Sequence, residues 1–136
     1  MSPGLNMHKL RWSWLVLGLV WVAAVFYLSL TPHPPQPVTF WQADKLGHAL
    51  AYGLLMLWFC QVYRRRSSRM LLALLLVTMG IAIEYLQRET GYRAFEYVDM
   101  LANAAGVMVG WAWARTLLGH VFAYLEYHVA RKSGQP

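Results

Sequence analysis

The stretch that decides the fold is "RMLLALLLVTMGIAIEYLQR", residues 69–88. It carries no charge between Arg69 and Glu84, and an apolar run of this kind is typical of a helix embedded in lipid. A carboxylate near the centre of a membrane costs roughly 2.5–3.5 kcal/mol on insertion scales. Glu84 is therefore expected to face protein or water rather than lipid.

The composition favours a membrane protein over a soluble domain. Of 136 residues, 58% are hydrophobic and 13% are charged, whereas a soluble domain usually has about 25% charged residues. The net charge is +6, but the basic residues stand at the ends of apolar runs, so no nucleic-acid partner is expected. The single cysteine, Cys60, excludes an intrachain disulfide and any metal site built from cysteines.

Four apolar blocks predict four membrane-spanning helices. Each block is close to the roughly 20 residues that cross a hydrocarbon core of about 30 Å. We predict an all-α fold, a four-transmembrane-helix bundle forming a single membrane domain over residues 1–136, with helices over about 12–30, 45–63, 70–87 and 99–118. A signal peptide is the alternative for the first block, but its length exceeds the usual h-region of about 7–15 residues. The stretch 120–136 either extends the fourth helix or lies along the membrane interface.

The distribution of basic residues predicts the orientation. Nine lie at the termini or in the loop 64–69, and three (Lys45, Arg88 and Arg93) lie on the other side. The positive-inside rule then places both termini in the cytoplasm and the loops 31–43 and 88–98 outside. The first of these loops contains "TPHPPQP", residues 31–37, which predicts an extended chain.

Polar side chains of the last three predicted helices fall at similar depths. Counted at 1.5 Å per residue from the cytoplasmic arginines, His48, Glu84 and Asp99 all lie about 22–24 Å above the boundary. Spacings of three and four place the polar residues of each helix along one stripe, with Arg88 continuing the stripe of the third helix. We therefore predict a polar pocket that opens outward, with these residues: Asp44, Lys45, His48, Tyr52, Glu84, Gln87, Arg93, Asp99 and Asn103.

Two glycines continue the stripe of the fourth helix. "GVMVG", from Gly106 to Gly110, places small residues four apart, and such residues let a second helix approach closely. The pocket is expected to narrow there into tight helix packing.

The same residues form a pattern that resembles the VanZ-like family of small bacterial membrane proteins. The resemblance rests on "DKLGHALAYGLL" (44–55), "IEYLQ" (83–87) and "YRAFEYVDMLANAAGVMVG" (92–110). It implies a four-helix protein of the bacterial cell envelope, in the cytoplasmic membrane. The family's namesake is associated with resistance to teicoplanin-type glycopeptides, but the resemblance supplies no biochemical activity. Glu96 falls where variation is expected, and no role is assigned to it.

We favour a protein that binds or moves an amphiphilic envelope molecule, either a lipid headgroup or a lipid-linked cell-wall intermediate. Membrane lipids are then its partners. Lys45, Arg88 and Arg93 would sit at the mouth of the pocket and pair with a phosphate or carboxylate.

Two other classes of function stay open. An intramembrane enzyme would use His48 with Glu84 or Asp99 as an acid–base pair, although no serine or cysteine nucleophile lies at that depth. A structural or partner-binding subunit would use Glu84 only to pin helices together. His48, Glu84 and Asp99 also have the atom types of a zinc site, but their spacing is not diagnostic, so no metal and no cofactor is predicted.

Overall fold

A computed structural model describes residues 3–32 and 43–132, and every regular element in these ranges is helical. The helices are α1 (Pro3–Leu30), α2 (Ala43–Val62), α3 (Arg66–Thr90), α4 (Tyr97–Trp113) and α5 (Val121–Lys132), with a short 3₁₀ helix at Leu117–His120. Most of the proline-rich stretch that was predicted to be extended lies outside the described residues.

The first four helices alternate in direction. Lys45 at the start of α2 pairs with Asp99 at the start of α4, so these two helices run parallel. At the same end, the Tyr92 hydroxyl, just after α3, donates to the carbonyl of Leu30, the last residue of α1. We call this the Asp44 end of the bundle and the opposite one the Arg64 end.

The most extensive helix contact is between α2 and α4, and it depends on glycine. A Cβ at Gly106 would collide with the backbone oxygen of Ala49, and a Cβ at Gly110 would collide with that of Gly53. A Cβ at Gly53 would lie only 2.9 Å from the backbone oxygen of Gly106, which is also too close. The two backbones are therefore in direct contact over two turns, which is how small residues four apart act in membrane helices.

Helix α1 is fixed to α2 by a reciprocal tryptophan pair. The indole N–H of Trp14 donates to the carbonyl of Trp58 at 3.1 Å, and that of Trp58 donates to the carbonyl of Trp14 at 3.0 Å. The two rings stack with centroids 3.9 Å apart. Each indole N–H thus has a partner within a largely apolar contact.

The fourth helix is shorter than predicted, and the prediction that it reaches residue 118 is wrong. Helix α4 ends at Trp113, a turn follows, and Gly119 packs so closely on Ala114 that a Cβ there would collide with its carbonyl oxygen. The chain then turns back into α5 instead of extending α4. Gln61 of α2 holds this reversal, because its side chain donates to Leu118 O at 2.7 Å and accepts from the Phe122 N–H at 3.2 Å.

The outer surfaces of the bundle are apolar. Leu17, Val20, Leu74 and Leu75 each have more than half of their surface exposed. Among the described residues, two helical segments are long and apolar enough to cross a membrane, His8–Leu30 and Arg66–Thr90. Apolar surface on this scale is stable in lipid and unfavourable in water, so the fold is that of a membrane protein. Four spanning helices were predicted from the sequence, and these two segments support two of them.

The contact between α2 and α4 gives the first testable prediction. Gly106→Ala should lower the midpoint of thermal unfolding in detergent by destabilising the fold by about 1–3 kcal/mol, because the new methyl group meets the Ala49 backbone. Gly47→Ala on α2 is the matched control, since a Cβ there has no atom within 4 Å. Equal midpoints for the two variants would contradict the close contact.

Candidate functional site

Lys45 lies at the centre of three carboxylates at the Asp44 end. Its ammonium group donates to Asp44 Oδ2 at 2.8 Å and to Glu96 Oε2 at 2.5 Å, and it pairs with Asp99 Oδ1 at 2.8 Å. The Lys45 side chain is only 17% exposed. Since the ammonium group donates hydrogen bonds to two carboxylates and is ion-paired with a third, Lys45 is committed to holding the site together.

His48 is one helical turn deeper and lies between two side chains of α4. Its Nε2 is 3.5 Å from Asp99 Oδ2, and its Nδ1 is 3.2 Å from Asn103 Oδ1. Asp99 and Asn103 are four residues apart on α4, so both lie on the face that meets His48 across the parallel α2–α4 contact.

Glu84 joins the site from α3, and the loop before α4 helps to fix it. Helix α3 ends at Gly91, whose φ of 73° reverses the chain in the left-handed conformation that favours glycine. The loop then returns over the site, where the Glu96 N–H donates to Glu84 Oε2 at 3.2 Å. Glu84 is fully buried, so this lone contact leaves a carboxylate largely unsatisfied.

Besides Asp99 Oδ1, which is ion-paired with Lys45, three buried polar atoms from three different helices lack a hydrogen-bond partner among the described residues. They are the Tyr52 hydroxyl, Glu84 Oε1 and Asn103 Nδ2. None of these side chains exceeds 2% exposure. Asn103 reaches this position because α3 carries Gly80 opposite it, where a Cβ would lie 2.9 Å from Nδ2.

These residues form what we call the acidic cluster: Asp44, Lys45, His48, Tyr52, Glu84, Glu96, Asp99 and Asn103. The chain has six acidic residues, and four of them are in this cluster. Four carboxylates against one ammonium give a formal charge of −3 with neutral His48. A chain with a net charge of +6 therefore concentrates negative charge at one end of its bundle.

Two residues expected in the pocket, Gln87 and Arg93, and one expected at its mouth, Arg88, lie differently. Gln87 is buried but turns toward α1, where its side-chain amide donates to Ser29 O at 2.8 Å. Arg88 is exposed and does not continue the buried stripe of Glu84. Arg93 is half-buried in the loop that carries Glu96, and it forms no salt bridge within the described residues.

Two members of the site were missed by sequence reasoning. Glu96 was given no role, yet its side chain binds Lys45 and its backbone binds Glu84. Gly80 was not singled out, although it makes room for Asn103. The sequence could have indicated Gly80, because it lies one turn before Glu84 on the same face of α3.

Comparison with known proteins agrees with the residue pattern. A family model described as VanZ/LLP1 matches residues 3–119, which include the whole acidic cluster. The chain belongs to the VanZ/LLP1 family. It is also similar to an uncharacterized protein of Schizosaccharomyces pombe, with 28% identity over 109 residues, covering 78% of this chain and 65% of that protein. The chain thus matches less than two thirds of the length of this relative. No solved structure matches.

The central position of Lys45 gives a second prediction. Lys45→Met should lower the free energy of unfolding by about 1–3 kcal/mol, because three carboxylates lose their shared counterion in a partly desolvated place. Arg88→Met, which removes an exposed positive charge near the same end, should change it by less than about 0.5 kcal/mol. The measurement is denaturant unfolding in detergent followed by circular dichroism.

The same experiment can test the pairing directly. Adding Glu96→Gln to Lys45→Met should recover part of the loss, because one of the unpaired negative charges is removed. Additive losses in the double variant would show that Lys45 and Glu96 do not interact.

Proposed function

We propose that this protein binds or moves an amphiphilic molecule of the cell envelope whose headgroup enters the acidic cluster. The observation that supports the proposal is that three buried polar atoms have no hydrogen-bond partner in the described part of the chain: Tyr52 Oη, Glu84 Oε1 and Asn103 Nδ2. They belong to three helices that meet at one end of a bundle with an apolar exterior. An amphiphile can reach such a site with its headgroup while its chains stay against the apolar surface.

The chemistry of these atoms favours a ligand that both donates and accepts hydrogen bonds. The Tyr52 hydroxyl and the Asn103 amide can donate, whereas Glu84 Oε1 can only accept when ionised. Each unsatisfied buried group costs about 1–3 kcal/mol. A headgroup with hydroxyl or amine functions would offset these costs as it binds.

The charge of the cluster favours a cationic or hydroxyl-rich group over a bare anion. The sequence suggested that Lys45 could hold a phosphate. In the structure it is surrounded by Asp44, Glu96 and Asp99 and is not free to do so. Arg93 lies three residues from Glu96 in the same loop and can take that role. A zwitterionic headgroup, with its amine toward the carboxylates and its phosphate toward Arg93, satisfies both requirements.

Lipid binding to purified protein tests this proposal. In native mass spectrometry with EDTA present, the wild-type chain should bind a phosphatidylethanolamine more tightly than a phosphatidylglycerol of the same chains. Glu84→Gln should weaken that binding at least about tenfold, because a hydrogen bond to a charged group contributes about 1.5–3 kcal/mol. Glu89→Gln, which changes an exposed carboxylate on the same helix, is the matched control.

The comparison of lipids separates the ligand classes within the proposal. A preference for a polyprenyl-diphosphate-linked cell-wall precursor over both phospholipids would assign the ligand to cell-wall synthesis. Equal binding of every lipid by the wild type and by Glu84→Gln would refute a headgroup site in the cluster.

An acid–base enzyme is the second candidate, and the contact between His48 Nε2 and Asp99 Oδ2 at 3.5 Å is the observation in its favour. A histidine beside a carboxylate can activate a water molecule without a serine or cysteine nucleophile. Turnover of an added lipid that His48→Gln abolishes, with lipid binding retained, would favour this function.

The proposal also includes the orientation expected from the basic residues, with both termini in the cytoplasm and the Asp44 end outside. Single cysteines in a Cys60→Ala background can report it, at the exposed positions Ser67 and Glu89. In intact bacterial cells that express the protein, a membrane-impermeant maleimide should label Glu89→Cys. Ser67→Cys should react only after permeabilisation. The reverse pattern would place the acidic cluster on the cytoplasmic side.

A further inference from the structure

We propose that His48, Glu84 and Asp99 form a binding site for a divalent first-row metal ion such as Zn²⁺. One ligand atom from each residue lies within 4.8 Å of the other two. The inference does not rest on the proposed function, because metal can be measured in detergent without added lipid.

The separation of His48 and Asp99 already matches metal coordination. Tetrahedral zinc with bonds of about 2.0–2.1 Å separates neighbouring ligand atoms by about 3.3–3.4 Å. Nε2 of His48 and Oδ2 of Asp99 are 3.5 Å apart. Glu84 offers a carboxylate oxygen within 4.8 Å of both of these atoms.

The surroundings of His48 provide a second argument. Its Nδ1 faces the amide oxygen of Asn103, which accepts hydrogen bonds, so the proton of a neutral ring belongs on Nδ1. In a neutral ring the lone pair of Nε2 then faces the carboxylate of Asp99, and this pairing is repulsive without a cation between them, whereas a doubly protonated ring donates from both nitrogens. A metal-bound histidine characteristically donates its other ring N–H to an oxygen, as this arrangement does.

Each proposed ligand is oriented by a neighbour that occupies its other polar atom. Asn103 faces Nδ1 of His48, and the Glu96 N–H binds Oε2 of Glu84. Lys45 holds Oδ1 of Asp99. The remaining atoms are Nε2, Oε1 and Oδ2. Oε1 belongs to a fully buried side chain and has no hydrogen-bond partner in residues 3–32 and 43–132.

The charge distribution favours a metal ion at His48, Glu84 and Asp99 over a neighbouring group of carboxylates. Asp44, Glu96 and Asp99 also bring carboxylate oxygens together, but the ammonium group of Lys45 contacts all three and fills the place of an ion. At His48, Glu84 and Asp99 the ammonium of Lys45 pairs only with Oδ1 of Asp99, and Glu84 forms no salt bridge within the described chain. A divalent ion there would neutralise most of the cluster's charge of −3.

The donor set indicates the kind of ion and the kind of site. One imidazole nitrogen and two carboxylate oxygens suit Zn²⁺, Mn²⁺ or Fe²⁺ better than an ion that prefers sulfur. Three protein ligands leave a fourth position for water or an oxygen of a ligand, which is the pattern of catalytic zinc sites.

Metal analysis of the full-length protein in detergent tests the site. After EDTA treatment and re-equilibration with micromolar Zn²⁺, the wild type should retain about one ion per chain. Glu84→Gln and Asp99→Asn should each weaken binding by at least about tenfold. His120→Gln, which removes an exposed histidine, should bind as the wild type does. Co²⁺ should give the visible spectrum of a tetrahedral complex with nitrogen and oxygen ligands.

A second measurement uses the wild type alone, in case the variants unfold. Bound Zn²⁺ should protect His48, but not His120, from modification by diethyl pyrocarbonate. Two competing arrangements need no ion: either both ring nitrogens of His48 carry a proton, or the Asn103 amide is reversed and the proton lies on Nε2. A wild type that retains no Zn²⁺, equal Zn²⁺ affinity in Glu84→Gln, or no protection of His48 would overturn the proposal.

Discussion

The backbones of α2 and α4 approach so closely that the carbonyl oxygens of Ala49 and Gly53 occupy the places where side chains would begin at Gly106 and Gly110. This contact fixes the register of two parallel helices. One to two turns nearer the Asp44 end, the same register brings Lys45 to Asp99 and His48 to Asn103. A wider separation would leave Asp99 without its counterion in an apolar bundle, so the polar site depends on the glycine contact.

The parallel arrangement also helps a negatively charged cluster to persist. Asp44 lies in the first turn of α2, and Asp99 lies in the first turn of α4. The N-terminus of a helix carries a partial positive charge, so both carboxylates occupy favourable positions. Two helix N-termini and the ammonium of Lys45 thus stabilise acidic groups that neither helix could hold alone. An antiparallel pair would supply only one such terminus at this end.

Helical periodicity predicted that His48 of α2 faces Asp99 and Asn103 of α4, and these three side chains lie together. It could not predict contacts made through the backbone. Glu96 acts partly through its N–H in a loop, and Gln87 turns to the carbonyl of Ser29 in the last turn of α1, where carbonyl groups lack helical partners. The end of α4 was also missed, because the reversal at Gly119 depends on Gln61 from a distant helix.

The two ligand classes proposed for the cluster are linked by charge. Without an ion, four carboxylates and one ammonium leave −3, which favours an amine and repels a phosphate. A divalent ion at His48, Glu84 and Asp99 would reduce this to −1 and offer an open coordination position. An oxygen of a phosphate then becomes an acceptable ligand at the same place. The metal content of the protein would therefore decide which headgroups it binds. The headgroup preference measured with a chelator can then differ from the preference of the metal-bound protein.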